Sequence, residues 1–175
     1  MGLSGDESKG GHLPSFDYLK NMEFINFDLN KAHNINLWPE IKNKFDIIII
    51  AEVIEHLHIA PEYVLRFLKN ILDDKGSIIL QTPNAASLIK RVWMISGKNP
   101  YELIRENFNN PGHFREYTLR EIKTIVEKEE LIVKKIFCKN YFTLIPDNWK
   151  SKLYRFGQNL LGEKFKDGIT AVISN

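Results

Sequence analysis

The chain has 175 residues, a hydrophobic fraction of 43%, a charged fraction of 26% and a formal net charge of +2, values typical of one globular domain. So small a net charge does not argue for nucleic-acid binding. Its one cysteine, Cys138, excludes an internal disulfide and fits a reducing compartment. Because the sequence has no run of about 20 apolar residues and no apolar core of a signal peptide, we expect a cytoplasmic protein without a transmembrane segment.

The first part of the chain contributes few apolar residues. Residues 1–15 are rich in glycine, serine and charge and are predicted to form a flexible leader, which leaves 16–175 as the domain. The glycines of this leader lack the preceding strand that a phosphate-binding loop requires. A short strand is predicted over 23–27, ending at Asp28, and a polar connection follows.

The segment 45–57, FDIIIIAEVIEHL, is the centre of the predicted fold. Four consecutive isoleucines predict a strand buried on both faces of a parallel sheet. Polar side chains then begin abruptly at Glu52. This is the carboxyl end of the strand, where open α/β sheets place their ligands.

The remaining segments alternate between helical and strand patterns, which predicts an α/β fold with a mostly parallel sheet. Pro61 suits the first turn of a helix, and Thr118 with Glu121 forms a capping box at the start of another. The basic amphipathic segment near the end could contact a membrane or RNA, but a helix packed on the sheet is the preferred interpretation. Strands are predicted over 77–82, 131–137 and 168–174, the last two as an antiparallel pair. Helices are predicted over 61–72, 85–96 and 149–160, and a further helix begins at Thr118.

Glu52, Glu55 and His56 have the spacing i, i+3 and i+4. If Glu52 begins a helical turn, their side chains lie on one face. Two carboxylates and an imidazole suit a divalent cation such as magnesium or manganese, and they also suit general acid–base catalysis. His113, in the polar loop before the capping box, is a candidate fourth ligand. The alternative is a solvated helix start with an unrelated exposed histidine.

Several of these segments together resemble the class I S-adenosylmethionine-dependent methyltransferases. The matching stretches, in order, are FINFDLN, FDIIIIAEVIEHL, LQTPN and GHFREYTLREI. The resemblance implies a Rossmann-like fold over about residues 20–140 and the use of S-adenosylmethionine as cofactor. Two subgroups share the motifs: methyltransferases of small molecules, and enzymes that methylate the 2′-hydroxyl at the 3′ end of RNA.

The resemblance also implies roles for individual residues. Asp28 matches the acidic residue that meets the adenine amino group, and Leu29 offers its backbone N–H. Ala51, Glu52 and Val53 match the corner that lines the cofactor. Four residues match the metal ligands of the RNA-terminal subgroup, and the two histidines among them are candidate catalytic bases: Glu52, Glu55, His56 and His113.

The chain departs from the family in one respect: the first two strands of the family fold, with their glycine-rich turn, have no counterpart. We therefore expect a truncated methyltransferase-like domain that binds the cofactor weakly and could be inactive alone. The central strand would then have an open edge, to be covered by the 23–27 strand or by a second chain in a homodimer. Three functions follow: methylation of a small hydroxyl-bearing molecule, RNA 2′-O-methylation, or a non-catalytic interaction module.

Overall fold

The computed structural model describes residues 25–107, 110–141 and 149–175. Four strands and four α-helices follow the predicted order, with short 3-10 turns between them. The leader and its glycines lie outside the described residues. The elements are β1 (Phe45–Ala51), α1 (Pro61–Ile71), β2 (Leu72–Pro83), α2 (Leu88–Ile95), α3 (Leu119–Lys128), β3 (Ile132–Lys139), α4 (Trp149–Leu161) and β4 (Gly168–Ser174).

The four strands form one sheet in the order β1-β2-β4-β3. Strands β1 and β2 are parallel, and β4 is antiparallel to both of its neighbours, β2 and β3. Three strands therefore run in one direction and the final strand runs against them. The predicted mixed fold, with its antiparallel pair at the end of the chain, is confirmed.

One face of the sheet carries the core. Side chains alternate between the two faces of a strand, and the residues that pair across the sheet on this face are apolar and buried. Helices α1 and α3 supply the apolar side chains opposite them, as their helical periodicity predicted. The buried residues of these elements include Ile50, Ile78, Leu80, Ala171 and Ile173 in the sheet, with Val64, Leu65, Leu68, Ile122 and Val126 in the helices.

The prediction that the isoleucine strand is buried on both faces is wrong. Ile47 and Ile49 alternate with the core-facing isoleucines, and their exposed fractions are 62% and 70%. Two features explain this exposure. Strand β1 is an edge strand of the sheet within the described residues, and no described helix covers this part of its second face. Four β-branched residues in a row thus predicted the strand correctly but not its surroundings.

Two other local predictions need correction. Residues 25–27 of the predicted 23–27 strand have no strand conformation, and Phe27 instead packs its ring 5.1 Å from that of Phe67 in α1. Residues 23 and 24 lie outside the described part. Strand β2 begins already at Leu72, whereas the strand was predicted to begin at residue 77. Whether either segment forms a strand depends on pairing with strands that are distant in sequence, and local propensity does not indicate such pairing.

The helix starts were predicted more accurately. Pro61 occupies the first turn of α1. At α3 the Thr118 hydroxyl accepts a hydrogen bond from the Glu121 N–H, and the Glu121 carboxylate accepts one from the Thr118 N–H. In the part of the chain that the structure describes, no helix has the length and apolar character needed to cross a membrane.

Candidate functional site

The candidate site begins where β1 ends. Glu52 has a left-handed backbone conformation, with φ of 54°, and its N–H still donates to the Gln81 carbonyl of β2 at 2.9 Å. A 3-10 turn, Ile54–His56, follows. A left-handed residue other than glycine is uncommon and often marks a functional site. Because Glu52 does not begin the helical turn, the prediction that it shares one helical face with Glu55 and His56 is wrong.

Glu55 is fully buried. Its Oε2 accepts a hydrogen bond from the Thr82 hydroxyl at 2.8 Å, and its Oε1 has no hydrogen-bond partner among the described residues. Burial raises the pKa of this carboxyl, while the hydrogen bonds from the backbone and Thr82 oppose that effect. A buried oxygen without a partner is costly unless another ligand, such as a cation, reaches it.

His56 and His113 complete the cluster. Their ring centroids are 4.7 Å apart, and His56 Nε2 lies 3.8 Å from Glu55 Oε1. His56 Nδ1 lies 3.0 Å from the Gly112 carbonyl, which can only accept, so Nδ1 carries a proton, and in the neutral tautomer the lone pair is on Nε2. One potential ligand atom from each of Glu55, His56 and His113 lies within 4.8 Å of the others.

The loop that carries His113 is attached to the cluster by its backbone. The N–H groups of Phe114 and Arg115 donate to the Glu55 carbonyl at 2.8 and 3.3 Å. Gly112 has φ of 89°, a backbone conformation that favours glycine, and an added Cβ would lie 2.7 Å from Glu102 Oε1, which would have to move. These contacts explain how two segments more than 50 residues apart place their histidines together.

Glu116 and Lys90 are functional candidates that sequence reasoning missed. The Glu116 side chain is 9% exposed, its Oε1 lies 3.1 Å from His113 Nδ1, and its other oxygen forms an ion pair with Lys90. A carboxylate that accepts from Nδ1–H leaves Nε2 of His113 as the available nitrogen. The three-residue spacing of His113 and Glu116 was a usable signal, whereas nothing local to Lys90 indicated its role.

The environment shifts the charge states of two site residues. Burial, and secondly the neighbouring Glu55, raise the pKa of Glu52 from 4.5 to about 7. Burial, and secondly His56, lower the pKa of His113 from 6.5 to about 4. At neutral pH His113 is therefore uncharged, with a lone pair available for a proton or a cation. Glu52 is partly protonated under the same conditions.

A cavity of about 460 Å³ adjoins this cluster. Glu52 and His113 both line it, together with Lys90, Trp93 and Tyr141. Its volume falls in the range of small-molecule sites, about 300–1,000 Å³. The cavity therefore places the end of β1 and the histidine loop against a common space.

The residues predicted to hold adenine lie in the segment before β1. Asp28 is the N-cap of the turn Leu29–Lys31, and its Oδ1 accepts from the Asn30 N–H at 3.0 Å. Leu29 is buried. The Asn30 side-chain oxygen accepts from the His58 N–H at 3.0 Å, which ties this segment to the loop that follows His56. In the structure Asp28 therefore acts as a capping residue of this turn.

Comparison with known proteins shows to which family the chain is similar. The family described as "Methyltransferase domain" matches residues 7–133. A solved SAM-dependent methyltransferase from Archaeoglobus fulgidus superposes with a TM-score of 0.52 at 16% identity, over 86% of this chain and 66% of that one. An S-adenosylmethionine-dependent methyltransferase from Clostridium acetobutylicum gives a TM-score of 0.48 at 14% identity, over 85% of this chain and 62% of that one.

A match to a curated protein is shorter. A protein of Rattus norvegicus named dihydrofolate reductase is 32% identical over 80 residues, which are 46% of this chain and 38% of that one. The chain thus spans less than two thirds of the length of the relatives it matches. The rat protein shares less than half of this chain and does not define its family.

The chain belongs to the class I S-adenosylmethionine-dependent methyltransferase family. The family match extends over most of the chain, and the fold agrees with that of the archaeal methyltransferase. The sequence motifs had indicated the same family.

Proposed function

We propose that this protein transfers a methyl group from S-adenosylmethionine to a hydroxyl group of a small molecule. The position of His113 is the observation that supports a small hydroxyl-bearing molecule as the methyl acceptor. It belongs to the Glu55–His56 cluster and also lines a cavity of small-molecule size. A hydroxyl bound in that cavity would meet a neutral imidazole at neutral pH.

The chemistry requires positioning and removal of one proton. The acceptor oxygen forms a bond to the methyl carbon as the bond between that carbon and the sulfonium sulfur breaks. The hydroxyl proton passes to a base, for which His113 Nε2 is the candidate because Glu116 engages Nδ1. The pKa of about 4 makes His113 a weak base, so the main contribution of the site is orientation of the acceptor. His56 is the second candidate.

The cofactor S-adenosylmethionine supplies an activated methyl group when bound. Two segments of this chain offer groups that fit its adenosine part. Ala51 is exposed at the end of β1 and leads into the Glu52–Val53 corner, and the exposed Asp28 uses one of its two carboxylate oxygens in its cap. Asp28 and Leu29, with Ala51, Glu52 and Val53, would hold this part.

A divalent cation also fits the site. The unpartnered Glu55 Oε1 and one nitrogen from each histidine form a close donor set, and hydrogen bonds to Gly112 and Glu116 orient the two rings. A hard divalent cation accepts such oxygen and nitrogen ligands. Because it would occupy His113 Nε2, it would replace that nitrogen as the group acting on the acceptor, lowering the pKa of the bound hydroxyl by polarising it. Glu52, the fourth ligand that the motif predicts, lines the adjoining cavity and is not among the three residues whose ligand atoms lie together.

Methyl transfer from radiolabelled S-adenosylmethionine to a panel of small hydroxyl-bearing molecules, assayed with the product of the full reading frame, tests the activity, because this chain by itself is expected to bind the cofactor weakly. His113→Ala should reduce turnover strongly, whereas His33→Ala, which removes an exposed histidine outside the cluster, should leave it unchanged. Absence of transfer to every acceptor, with no measurable cofactor binding, would refute the proposal and favour a non-catalytic interaction module.

Metal binding is tested separately by calorimetric titration with manganese. His56→Ala should abolish most of the binding heat, and His33→Ala should retain it. Equal heats from wild type and His56→Ala would refute the proposal that this cluster binds a divalent cation.

RNA 2′-O-methylation is the second candidate, favoured by the cluster of Glu55, His56 and His113, which matches the metal ligands of that subgroup. A short RNA with a free 3′ end, included in the methyl-transfer assay, separates the two. Methylation of the RNA but of no small acceptor would select this candidate.

A further inference from the structure

Helices α2 and α4 lie against each other beside the cavity. A Cβ placed on Gly157 of α4 would be 3.7 Å from Leu88 Cδ2 of α2. The Arg91 guanidinium lies 5.0 Å from the ring centroid of Phe165, shortly after α4 ends. The first contact joins the two helices, and the second joins α2 to the turn that follows α4, Glu163–Phe165. Together they define a common surface, here called the α2–α4 surface.

Large apolar side chains of this surface are exposed. Val92 and Ile95 continue the helical stripe that starts at the Leu88 contact, and their exposed fractions are 50% and 88%. Leu160 and Leu161 continue the stripe from Gly157, with exposed fractions of 78% and 48%. Because Leu88 meets Gly157, the two stripes adjoin. Exposed apolar groups so concentrated indicate an interaction site.

Charged side chains accompany these apolar residues. Around the stripes the exposed basic residues outnumber the acidic ones: Arg91, Lys98, Lys152, Arg155 and Lys164 against Glu163. A second copy of the chain docked here would bring two sets of basic residues together. RNA would bind the basic residues but would offer no apolar surface to the exposed isoleucine and leucine side chains. An anionic lipid surface fits both features, because its acyl chains accept apolar side chains and its headgroups attract basic ones.

We propose that the α2–α4 surface binds the surface of a membrane that contains anionic lipid. The apolar side chains enter the boundary between headgroups and acyl chains, and the lysines and arginines pair with the headgroups. Trp93 of α2 lines the cavity and is itself 44% exposed. Binding in this manner places the cavity beside the lipid surface.

Co-sedimentation with lipid vesicles tests this surface. The whole chain should bind vesicles containing phosphatidylglycerol about tenfold or more tightly than vesicles of phosphatidylcholine alone, because several basic residues contribute. Raised salt should weaken the binding. Ile95→Ser and Leu160→Ser should each lower the affinity about tenfold, because each removes an apolar side chain that enters the membrane on binding.

The matched control is Ile47→Ser. Ile47 is also an exposed isoleucine, at 62%, but it lies near the start of β1, away from the carboxyl end where the cavity is found. Its substitution should leave vesicle binding unchanged. The proposal is overturned if the wild type does not bind anionic vesicles, or if Ile47→Ser weakens binding as much as Ile95→Ser does. It is also overturned if sedimentation velocity finds a dimer that Ile95→Ser dissociates, or if RNA binds and vesicles do not.

Discussion

Replacing Glu52 by glutamine should stabilise the protein at alkaline pH and leave its stability unchanged in acid. The pKa of Glu52 is raised from 4.5 to about 7, chiefly by burial. The folded state therefore binds the proton of this carboxyl more tightly than the unfolded state does. The resulting stabilisation is fully present below pH 4.5 and is lost as the pH rises through 7. Glutamine stays neutral throughout and avoids this loss.

The magnitude follows from the displacement of the pKa. At about 1.4 kcal/mol for each pH unit, the full displacement corresponds to about 3 kcal/mol. Glu52 is only partly buried, so solvent screening reduces the effect, and we expect the variant to be about 1–2 kcal/mol more stable than wild type at pH 8. Near pH 4 the two proteins should have equal stability.

The assay is urea denaturation of wild type and Glu52→Gln between pH 4 and 8, with a chelator present to exclude bound cations. Glu40→Gln serves as the control, because Glu40 is exposed and its substitution should change the free energy of unfolding by less than about 0.5 kcal/mol at every pH. A constant difference between Glu52→Gln and wild type across this range would refute the reasoning, because ionisation of Glu52 would then contribute nothing.

Three further predictions concern other positions. Thr118→Ala removes the capping box of α3 and should lower the free energy of unfolding by about 1 kcal/mol in urea denaturation, whereas an unchanged value would show that the cap contributes nothing. Glu116→Gln should lower the affinity for manganese about 10- to 100-fold in calorimetry, because the ring of His113 loses its charged partner. Cys138 is buried and its thiol pKa is raised to about 11, so a thiol reagent at pH 8 should react slowly with the folded protein and quickly in urea. Rapid labelling without urea would contradict this burial.

Much of the local structure was predictable because it depends on neighbouring residues. The isoleucine run predicted β1, helical periodicity predicted α1, and the Thr118–Glu121 spacing predicted the observed capping box. Glu55, His56 and His113 were predicted as part of one ligand set, and their ligand atoms lie together, whereas Glu52, the other predicted member, is not in this close group. No local pattern brings a loop histidine to a strand end, so its position depends on the fold.

The sequence by itself determined the order of the elements, their types and the residues able to carry the chemistry. Tertiary structure alone decided which of those residues meet. It left Ile47 and Ile49 exposed, because burial depends on what covers a strand and not on the strand's own side chains. It gave Glu52 a left-handed backbone conformation, which leaves Glu52 outside the turn that contains Glu55. It also brought Glu116 and Lys90 together from separate segments, a pairing that exists only once the chain between them has folded.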